Sequence, residues 1–291
     1  MTPIPSSALG AMLARRVVRI DARMVMAFAA GIRAEHPMHL DDARPDGIVA
    51  PPAFIASVEW PTLTSIGYLS AIGRNDVTAL DDLVHGFQDS LFHRAIRPGD
   101  HLAVSGRIVA IQETKAGTLV TTHIVTVDAE RGDPVADGWF GALYRGTPLQ
   151  GAGGCIATVP ALRPERGLSA SQTLRAAIDI PRSQPHIYTE CAHIWNPIHT
   201  ERAVAIAAGL PDIILHGTCT WAMVLQRLAF QHRPEMPRPL RRAAARFTRP
   251  VIPGAPVILE SAAPDSHGTI CFTVRDGTDE IVLGYALAVL A

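Results

Sequence analysis

Two pairs of matching segments indicate that the chain contains an internal duplication. The segment LFHRAIRPGD at 91–100 aligns with RFTRPVIPGA at 246–255, an offset of 155 residues, and both contain a phenylalanine, an arginine and a Pro-Gly pair at the same spacing. The segment HPMH at 36–39 aligns with NPIH at 196–199 at an offset of 160 residues. Because one loop insertion accounts for the small difference between the offsets, the pattern predicts two units of similar fold.

A stretch that breaks regular structure separates these two units. Residues 146–167 contain GAGG at 151–154 and prolines at 148, 160 and 164, a composition typical of a linker. The 291 residues are enough for two domains of ordinary size, each with its own core. We therefore predict an N-terminal domain over 1–148, a linker over 149–167 and a C-terminal domain over 168–291.

The composition excludes several classes of function. A formal net charge of -1 offers no electrostatic footprint for nucleic acid, so no nucleic-acid partner is expected. The four cysteines form no C-x-x-C pair, which argues against a disulfide framework and against a structural zinc, and we expect no metal.

The apolar N-terminal stretch is interrupted by Arg19, Asp21 and Arg23. Neither a signal peptide nor a membrane span fits, and we expect a cytoplasmic protein with no membrane partner.

The periodicity of the second unit predicts a helix followed by strands. Residues 186–199 favour the start of a strand and a turn, 201–208 a short helix, and 217–230 a helix that is apolar on nearly all faces. Strands are predicted at 244–251, 256–262, 269–275 and 281–290, and in the first unit at 92–96, 101–112, 118–128 and 135–145. The predicted fold class is α+β, with two antiparallel sheets each wrapped round a central helix.

Two features of the second unit suggest chemistry. His199 follows Asn196 and Pro197 in a turn, where an imidazole is available for proton transfer. Gly217 lies at the predicted N-terminus of the apolar helix, where its amide can hold a developing oxyanion. Asn196 is expected to shape the turn that presents His199.

The segment YTECAHIWNPIH at 188–199, followed by ILHGTCTW at 214–221, resembles the MaoC-like branch of the hot-dog fold, which includes the (R)-specific enoyl-CoA hydratases. The first unit, with FAAGI at 28–32 and GIVAPPAF at 47–54, resembles the degenerate N-terminal hot dog of the double-hot-dog members. The resemblance implies a double hot dog whose second half acts as a hydratase or dehydratase on a trans-2-enoyl or (R)-3-hydroxyacyl thioester. It implies no cofactor other than the coenzyme A or acyl-carrier protein that is part of the substrate.

The same resemblance assigns the site residues. His199 matches the acid/base histidine and Gly217 the glycine whose amide polarises the thioester carbonyl, whereas Ile194 stands where the family has an aspartate. Ala34 occupies the equivalent place in the first unit. Glu190 or His193 is the candidate to replace the missing carboxylate. The residues expected to contact substrate are Asn196, Tyr188, Trp195, His216 and Thr218.

The missing aspartate leaves three functional hypotheses open. The first is the hydratase or dehydratase. The second is an isomerase, cyclase or dehydratase on a bulky thioester, for which Glu190→Gln abolishes turnover. The third is a non-catalytic acyl-binding subunit that binds acyl-CoA without releasing product. Arginines 241, 242, 246 and 249 are candidates to contact the phosphates of coenzyme A, or else are exposed charges of a sheet face. A homodimer is expected.

Overall fold

A long antiparallel sheet and two central helices form the body of the molecule. The computed structural model describes residues 2–75, 83–162 and 172–291. The strands are β1 (Ile4–Pro5), β2 (Met12–Arg19), β3 (Leu83–Phe92), β4 (His101–Thr114), β5 (Gly117–Asp128), β6 (Pro134–Arg145), β7 (Leu149–Gln150), β8 (Gly154–Cys155), β9 (Gln172–Ile178), β10 (Leu240–Phe247), β11 (Val257–Ala262), β12 (Thr269–Arg275) and β13 (Ile281–Leu290). The helices are α1 (Ala22–Gly31), α2 (Pro37–Leu40), α3 (Ile55–Leu63), α4 (Ile66–Ala71), α5 (Gln184–Ala192), α6 (Arg202–Ala207) and α7 (Gly217–His232).

The strand order is β2-β4-β5-β6-β3-β10-β13-β12-β11-β9. The first five strands come from the first half of the chain and the last five from the second half. The α+β class and the antiparallel sheets are therefore confirmed. The two sheets are not separate, however, because β3 and β10 pair antiparallel and join them into one sheet of eleven strands, in which β8 pairs with β4 outside the main path.

A buried ion pair fixes the junction between the two halves. Asp89 on β3 is fully buried, and the guanidinium of Arg242 on β10 donates from Nε to its Oδ1 at 2.9 Å and from Nη2 to its Oδ2 at 2.5 Å. A buried carboxylate needs such a two-point partner to offset the cost of leaving water. The pair ties β3 and β10 in one register, with Ala244 opposite Asp89.

The predicted central helix and most strands of the second half are confirmed. The apolar run after His216 forms α7, which extends two residues beyond the predicted end and is buried along most of its length. Strands β12 and β13 have the predicted bounds, whereas β10 begins four residues earlier than predicted, at Leu240. In the first half, β4, β5 and β6 match the predicted strands to within two residues. No helix among the described residues is long and apolar enough to cross a membrane.

The strand predicted at 92–96 is wrong, because the strand there is β3 and it ends at Phe92. Its sequence conceals it, since Gln88, Asp89 and Ser90 are polar and yet almost completely buried. An alternating apolar pattern is the usual signal of a strand, and these residues interrupt it. Their polar groups find partners inside the fold, at the junction with β10 and in the cavity described below.

The strand start predicted within 186–199 is also wrong, because residues 184–192 form the helix α5. Pro185 lies in the first turn of this helix, where a proline costs no hydrogen bond. The helix packs against α1 so closely that a methyl group at Gly31 would come within 2.6 Å of the Cβ of Cys191. His193 ends α5 in the left-handed region, with φ 53°. The predicted turn at Asn196 is present.

The described part of the predicted linker folds onto the first half. β7 pairs in parallel with β1, and β8 pairs with β4. Residues 163–167 of the predicted linker, and residue 168 where the second domain is predicted to begin, lie outside the described residues. The domain boundaries therefore stay a prediction.

Candidate active site

The turn at 196–199 presents the imidazole of His199 in a defined tautomer. The side-chain oxygen of Asn196 accepts from the backbone amide of Ile198 at 3.2 Å, and residues 197–199 form one turn of 3-10 helix. Nδ1 of His199 lies 2.8 Å from the carbonyl oxygen of Ile214. A carbonyl only accepts, so Nδ1 carries the proton and donates it, and Nε2 of the neutral ring keeps a lone pair.

Burial keeps this imidazole neutral. It lowers the pKa of His199 to about 4, so the ring carries no charge at pH 7 and Nε2 can accept a proton. The ring of His199 stacks on that of His216 with centroids 3.6 Å apart and planes at 24°. Burial, with a smaller contribution from His199, holds the pKa of His216 well below its usual value. His216 is held by its Nε2, which donates to the carbonyl oxygen of Ile194 at 3.0 Å.

The N-terminus of α7 lies next to this pair of rings. His216 precedes the helix, and Gly217 and Thr218 are its first two residues, whose amides have no acceptor within their own helix. The helix dipole makes this end favourable for negative charge. Gly217 leaves room for the ring of Phe247, because a Cβ at this position would lie 2.7 Å from Cδ1 of that ring.

A cavity of about 340 Å³ opens in front of His199 and the start of α7. Its volume is within the range of small-molecule sites. Its walls come from both halves of the chain, including α3, β3 and β6 of the first half and β10 and β13 of the second. Arg249, an exposed residue just after β10, and the partly buried Arg145 at the end of β6 also line it.

Comparison with known proteins agrees with this geometry. Residues 164–279 match the family described as MaoC like domain, and residues 7–138 match the FAS1-like, dehydratase domain region. The first match covers most of the second half of the chain, and the second covers most of the first half. The MaoC-like dehydratase from Phytophthora capsici superposes with a TM-score of 0.84 at 18% identity, covering 98% of this chain and 97% of that one. A Mycobacterium tuberculosis protein described as having a double hot-dog fold superposes with a TM-score of 0.65 at 16% identity, covering 97% of this chain and 96% of that one. The fold is therefore the expected double hot dog.

Two curated relatives share part of their sequence with the chain. The 3-hydroxyacyl-thioester dehydratase Y of Mycobacterium tuberculosis is 30% identical over 178 residues, 59% of this chain and 59% of the relative. The probable enoyl-CoA hydratase 2 of Dictyostelium discoideum is 24% identical over 214 residues, 70% of this chain and 69% of the relative. The match to dehydratase Y thus spans less than two thirds of that protein's length.

Most of the residues predicted for the MaoC-like site lie together. Asn196, His199, His216, Gly217 and Thr218 all line the cavity. The side chain of Ile194 also lines the cavity, so an apolar group occupies the position where a carboxylate is expected.

Four predicted residues do not line the cavity. Glu190 and His193 are exposed, at the end of α5 and just after it. Trp195 is 50% exposed, and Tyr188 is fully buried behind His216, with ring centroids 5.0 Å apart. The position of Glu190 gives it no contact with the cavity, because its stretch is a helix rather than the predicted strand and turn. Because the ring of Tyr188 packs against that of His216, it supports the His216 ring from behind the cavity.

The wall that the first half contributes to the cavity carries a set of buried polar side chains that the sequence did not reveal. Gln88 donates from Nε2 to Glu59 Oε2 at 3.2 Å and to Ser90 Oγ at 3.0 Å. Burial raises the pKa of Glu59 to about 8 and lowers the pKa of His85 to about 3. His85 lies between the rings of Phe140 and Phe247, at centroid distances of 4.1 and 4.2 Å. The sequence gives one sign of this polar set, which is the single carboxyl group in the otherwise mostly apolar run FIASVEW at 54–60.

The first half repeats the histidine turn of the second half but not its site. Nδ1 of His39 donates to the carbonyl oxygen of Val49 at 2.7 Å, as His199 does to Ile214. Pro52 follows Val49 by three residues, as Gly217 follows Ile214 in the second half. Because a proline has no amide hydrogen, the first half has no oxyanion donor at this position.

A side chain of the second half also closes the position in front of His39. Nε2 of Gln226 on α7 lies 3.0 Å from Nε2 of His39. The space lined by these two residues is only about 10 Å³. Within the described residues, no group of three or more histidine, cysteine, aspartate or glutamate side chains is placed to hold a metal.

Proposed function

We propose that the protein is a lyase that removes water from an (R)-3-hydroxyacyl thioester or adds water to the trans-2-enoyl thioester, with His199 as the acid/base and the Gly217 amide as the oxyanion donor. The observation that carries the proposal is the neutral imidazole of His199 and the N-terminus of α7 on one cavity. The names of both relatives, a 3-hydroxyacyl-thioester dehydratase and an enoyl-CoA hydratase, support the reaction class.

In the dehydration direction, Nε2 of His199 takes the proton from the carbon next to the thioester carbonyl. The electrons of that C–H bond move toward the carbonyl oxygen, where the amide of Gly217 holds the developing enolate charge. One such donor is worth roughly 10² to 10³ in rate. As the double bond forms, the hydroxyl at the next carbon leaves with a proton and becomes water. Hydration follows the same path in reverse.

The substrate is proposed to arrive as a coenzyme A or acyl-carrier thioester, with no further cofactor. Arg145 and Arg249 line the cavity, and a guanidinium group suits phosphate. Arg145 also donates to the carbonyl oxygen of Ala208, and Arg249 forms an exposed ion pair with Glu280 that a phosphate can replace. Of the other candidate arginines, Arg242 is paired with Asp89, Arg241 donates to the carbonyl oxygen of His267, and the guanidinium of Arg246 lies over the ring of Tyr285. A homodimer stays a prediction, which light scattering of the purified chain tests.

The test is the loss of enoyl absorbance when the protein is mixed with crotonyl-CoA and with longer trans-2-enoyl-CoAs. Wild type should hydrate at least one of them, and His199→Ala should lose activity by roughly 10² to 10⁴. His39→Ala alters the repeated turn of the first half and is the matched control. Equal rates for wild type and His199→Ala count against the proposal. Binding of acyl-CoA of every length without turnover favours a non-catalytic acyl-binding subunit instead.

A further inference from the structure

The proposed dehydration leaves one proton without a donor. The departing hydroxyl must be protonated to leave as water, and the second half supplies no carboxyl group for this, since Ile194 lines the cavity where the aspartate is expected. His199 is the proton acceptor, and burial keeps His216 neutral with its Nε2 proton held by a carbonyl. Among the described residues that line the cavity, Glu59 is the one carboxyl group.

In the duplicated architecture, each half contributes a helix to the space in front of the histidine of the other half. Helix α7 brings Gln226 to 3.0 Å from the ring nitrogen of His39 in the first half. By the same relation, α3 of the first half covers the cavity of His199. The α3 side chains that line this cavity are Ala56, Glu59, Trp60 and Leu63. The polar one among them is Glu59, so the first half contributes a carboxyl group to the site of the second half.

The carboxyl group of Glu59 is held in place and has one oxygen without a partner. The residue is 1% exposed, and its Oε2 accepts from Gln88. Its Oε1 is buried and has no hydrogen-bond partner among the described residues. The strand β6 makes room for the group with Gly138, because a methyl group there would overlap Oε1 and would lie 2.9 Å from Cδ. An unpaired buried oxygen is costly unless a ligand satisfies it.

We propose that Glu59 is the proton donor to the leaving hydroxyl in the dehydration of the (R)-3-hydroxyacyl thioester, an inference that rests on the proposed function. His199 Nε2 gains the proton of the α-carbon, the C–O bond at the β-carbon breaks, and the O–H of Glu59 gives its proton to the departing oxygen. The products are the enoyl thioester and water, with Glu59 as carboxylate and His199 as imidazolium. Transfer of one proton back to Glu59 restores the starting state.

The electrostatic surroundings keep this proton on Glu59 at neutral pH. Burial is the main reason that the pKa of Glu59 rises to about 8, and the charge of Asp137 on β6 adds to the shift, while the hydrogen bond from Gln88 opposes it. His85 on the neighbouring strand is neutral because burial lowers its pKa to about 3. With His199 also neutral, the resting protonation states are those that dehydration requires.

The experiment compares wild type, Glu59→Gln and the matched control Glu113→Gln, whose carboxylate is exposed on β4. Dehydration of (R)-3-hydroxybutyryl-CoA, or of the longest (R)-3-hydroxyacyl-CoA that is turned over, is followed between pH 5 and 9.5. Glu59→Gln should lower kcat by about 100-fold or more, with KM within a few-fold of wild type, because a general acid is worth roughly 10² to 10⁴. Glu113→Gln should match wild type.

The pH profile and an infrared measurement separate catalysis from a structural role. The wild-type kcat for dehydration should fall as the pH rises past about 8, and the residual activity of Glu59→Gln should lack that limb. A protonated-carboxyl band at pH 7 should be present in wild type and absent from Glu59→Gln. A wild-type kcat that stays constant up to pH 9.5 overturns the role even if Glu59→Gln fails to fold.

Two further outcomes distinguish this inference from the proposed function. Folded Glu59→Gln with kcat within threefold of wild type overturns the role of Glu59 and leaves the proposed function intact. Wild-type protein that turns over none of these thioesters overturns the proposed function and the role of Glu59 with it.

Discussion

Replacing Gly217 by alanine should displace the oxyanion donor by a predictable amount. The added Cβ would lie 2.7 Å from Cδ1 and 2.9 Å from Cε1 of Phe247. Carbon atoms in contact are about 3.5 Å apart, so the helix start and the ring must separate by about 0.8 Å. The ring of Phe247 cannot move away freely, because it packs against His85, which in turn stacks on Phe140.

The displacement should reduce both activity and stability. A misplacement of this size costs up to about 10²-fold in rate, so we expect kcat for crotonyl-CoA hydration to fall by roughly 10- to 100-fold. Overpacking costs about 1 to 3 kcal/mol in free energy of unfolding. The assays are steady-state hydration and urea-induced unfolding. Gly67→Ala is the control, because the nearest atom to its Cβ would be Ser65 Oγ at 4.0 Å.

A double variant tests whether the effect of Gly217→Ala is steric. Phe247→Leu removes the ring that the new methyl group meets, so Gly217→Ala combined with Phe247→Leu should recover part of the lost stability. The two changes should therefore be non-additive, as expected for residues in contact. The reasoning is refuted if Gly217→Ala alone keeps kcat within twofold and the free energy of unfolding within 0.5 kcal/mol of wild type, about the scatter of a neutral substitution.

Three other substitutions follow from the same structure. His39→Ala should leave kcat unchanged and lower the free energy of unfolding, measured by urea titration, because His39 faces Gln226 and not the large cavity. Arg249→Ala should raise KM for an acyl-CoA several-fold at unchanged kcat, and added salt should shrink the difference; an unchanged KM would remove Arg249 from phosphate binding. Burial lowers the pKa of His85 to about 3 in the folded protein, whereas in the unfolded chain the ring gains a proton as the pH falls below 6.5. Acid therefore favours the unfolded chain. Between pH 7 and 5, wild type should therefore lose about 2 kcal/mol of stability relative to His85→Gln.

The parts of the fold that were predictable are those whose residues interact with neighbours in sequence. The apolar run of α7 and the segments of β12 and β13 carry a pattern that local burial imposes. His199 and Gly217 were singled out from two short motifs, NPIH and LHG, and both line the cavity, while their roles in catalysis stay a prediction. The repeat also located the turn of His39, whose Nδ1 donates to a backbone carbonyl as that of His199 does.

The parts that were missed depend on contacts between the halves. β3 is a central strand only because β10 pairs with it, and its buried Asp89 is tolerated only because Arg242 reaches it from the other half. Glu59 is a carboxyl group inside an apolar helix, and only the packing of α3 over the second-half cavity shows what it faces. Local pattern carries no information on such distant pairings.

Because β3 pairs with β10 within one chain, diluting the protein does not separate the two walls of the cavity. Where two separate subunits share a cavity, the cavity is lost when the subunits dissociate. Here both walls belong to one chain, and the strands that join them are held together at the high effective concentration of an intramolecular contact. The specific activity of the protein should therefore be the same at nanomolar and micromolar chain concentrations, whatever further association the chain undergoes.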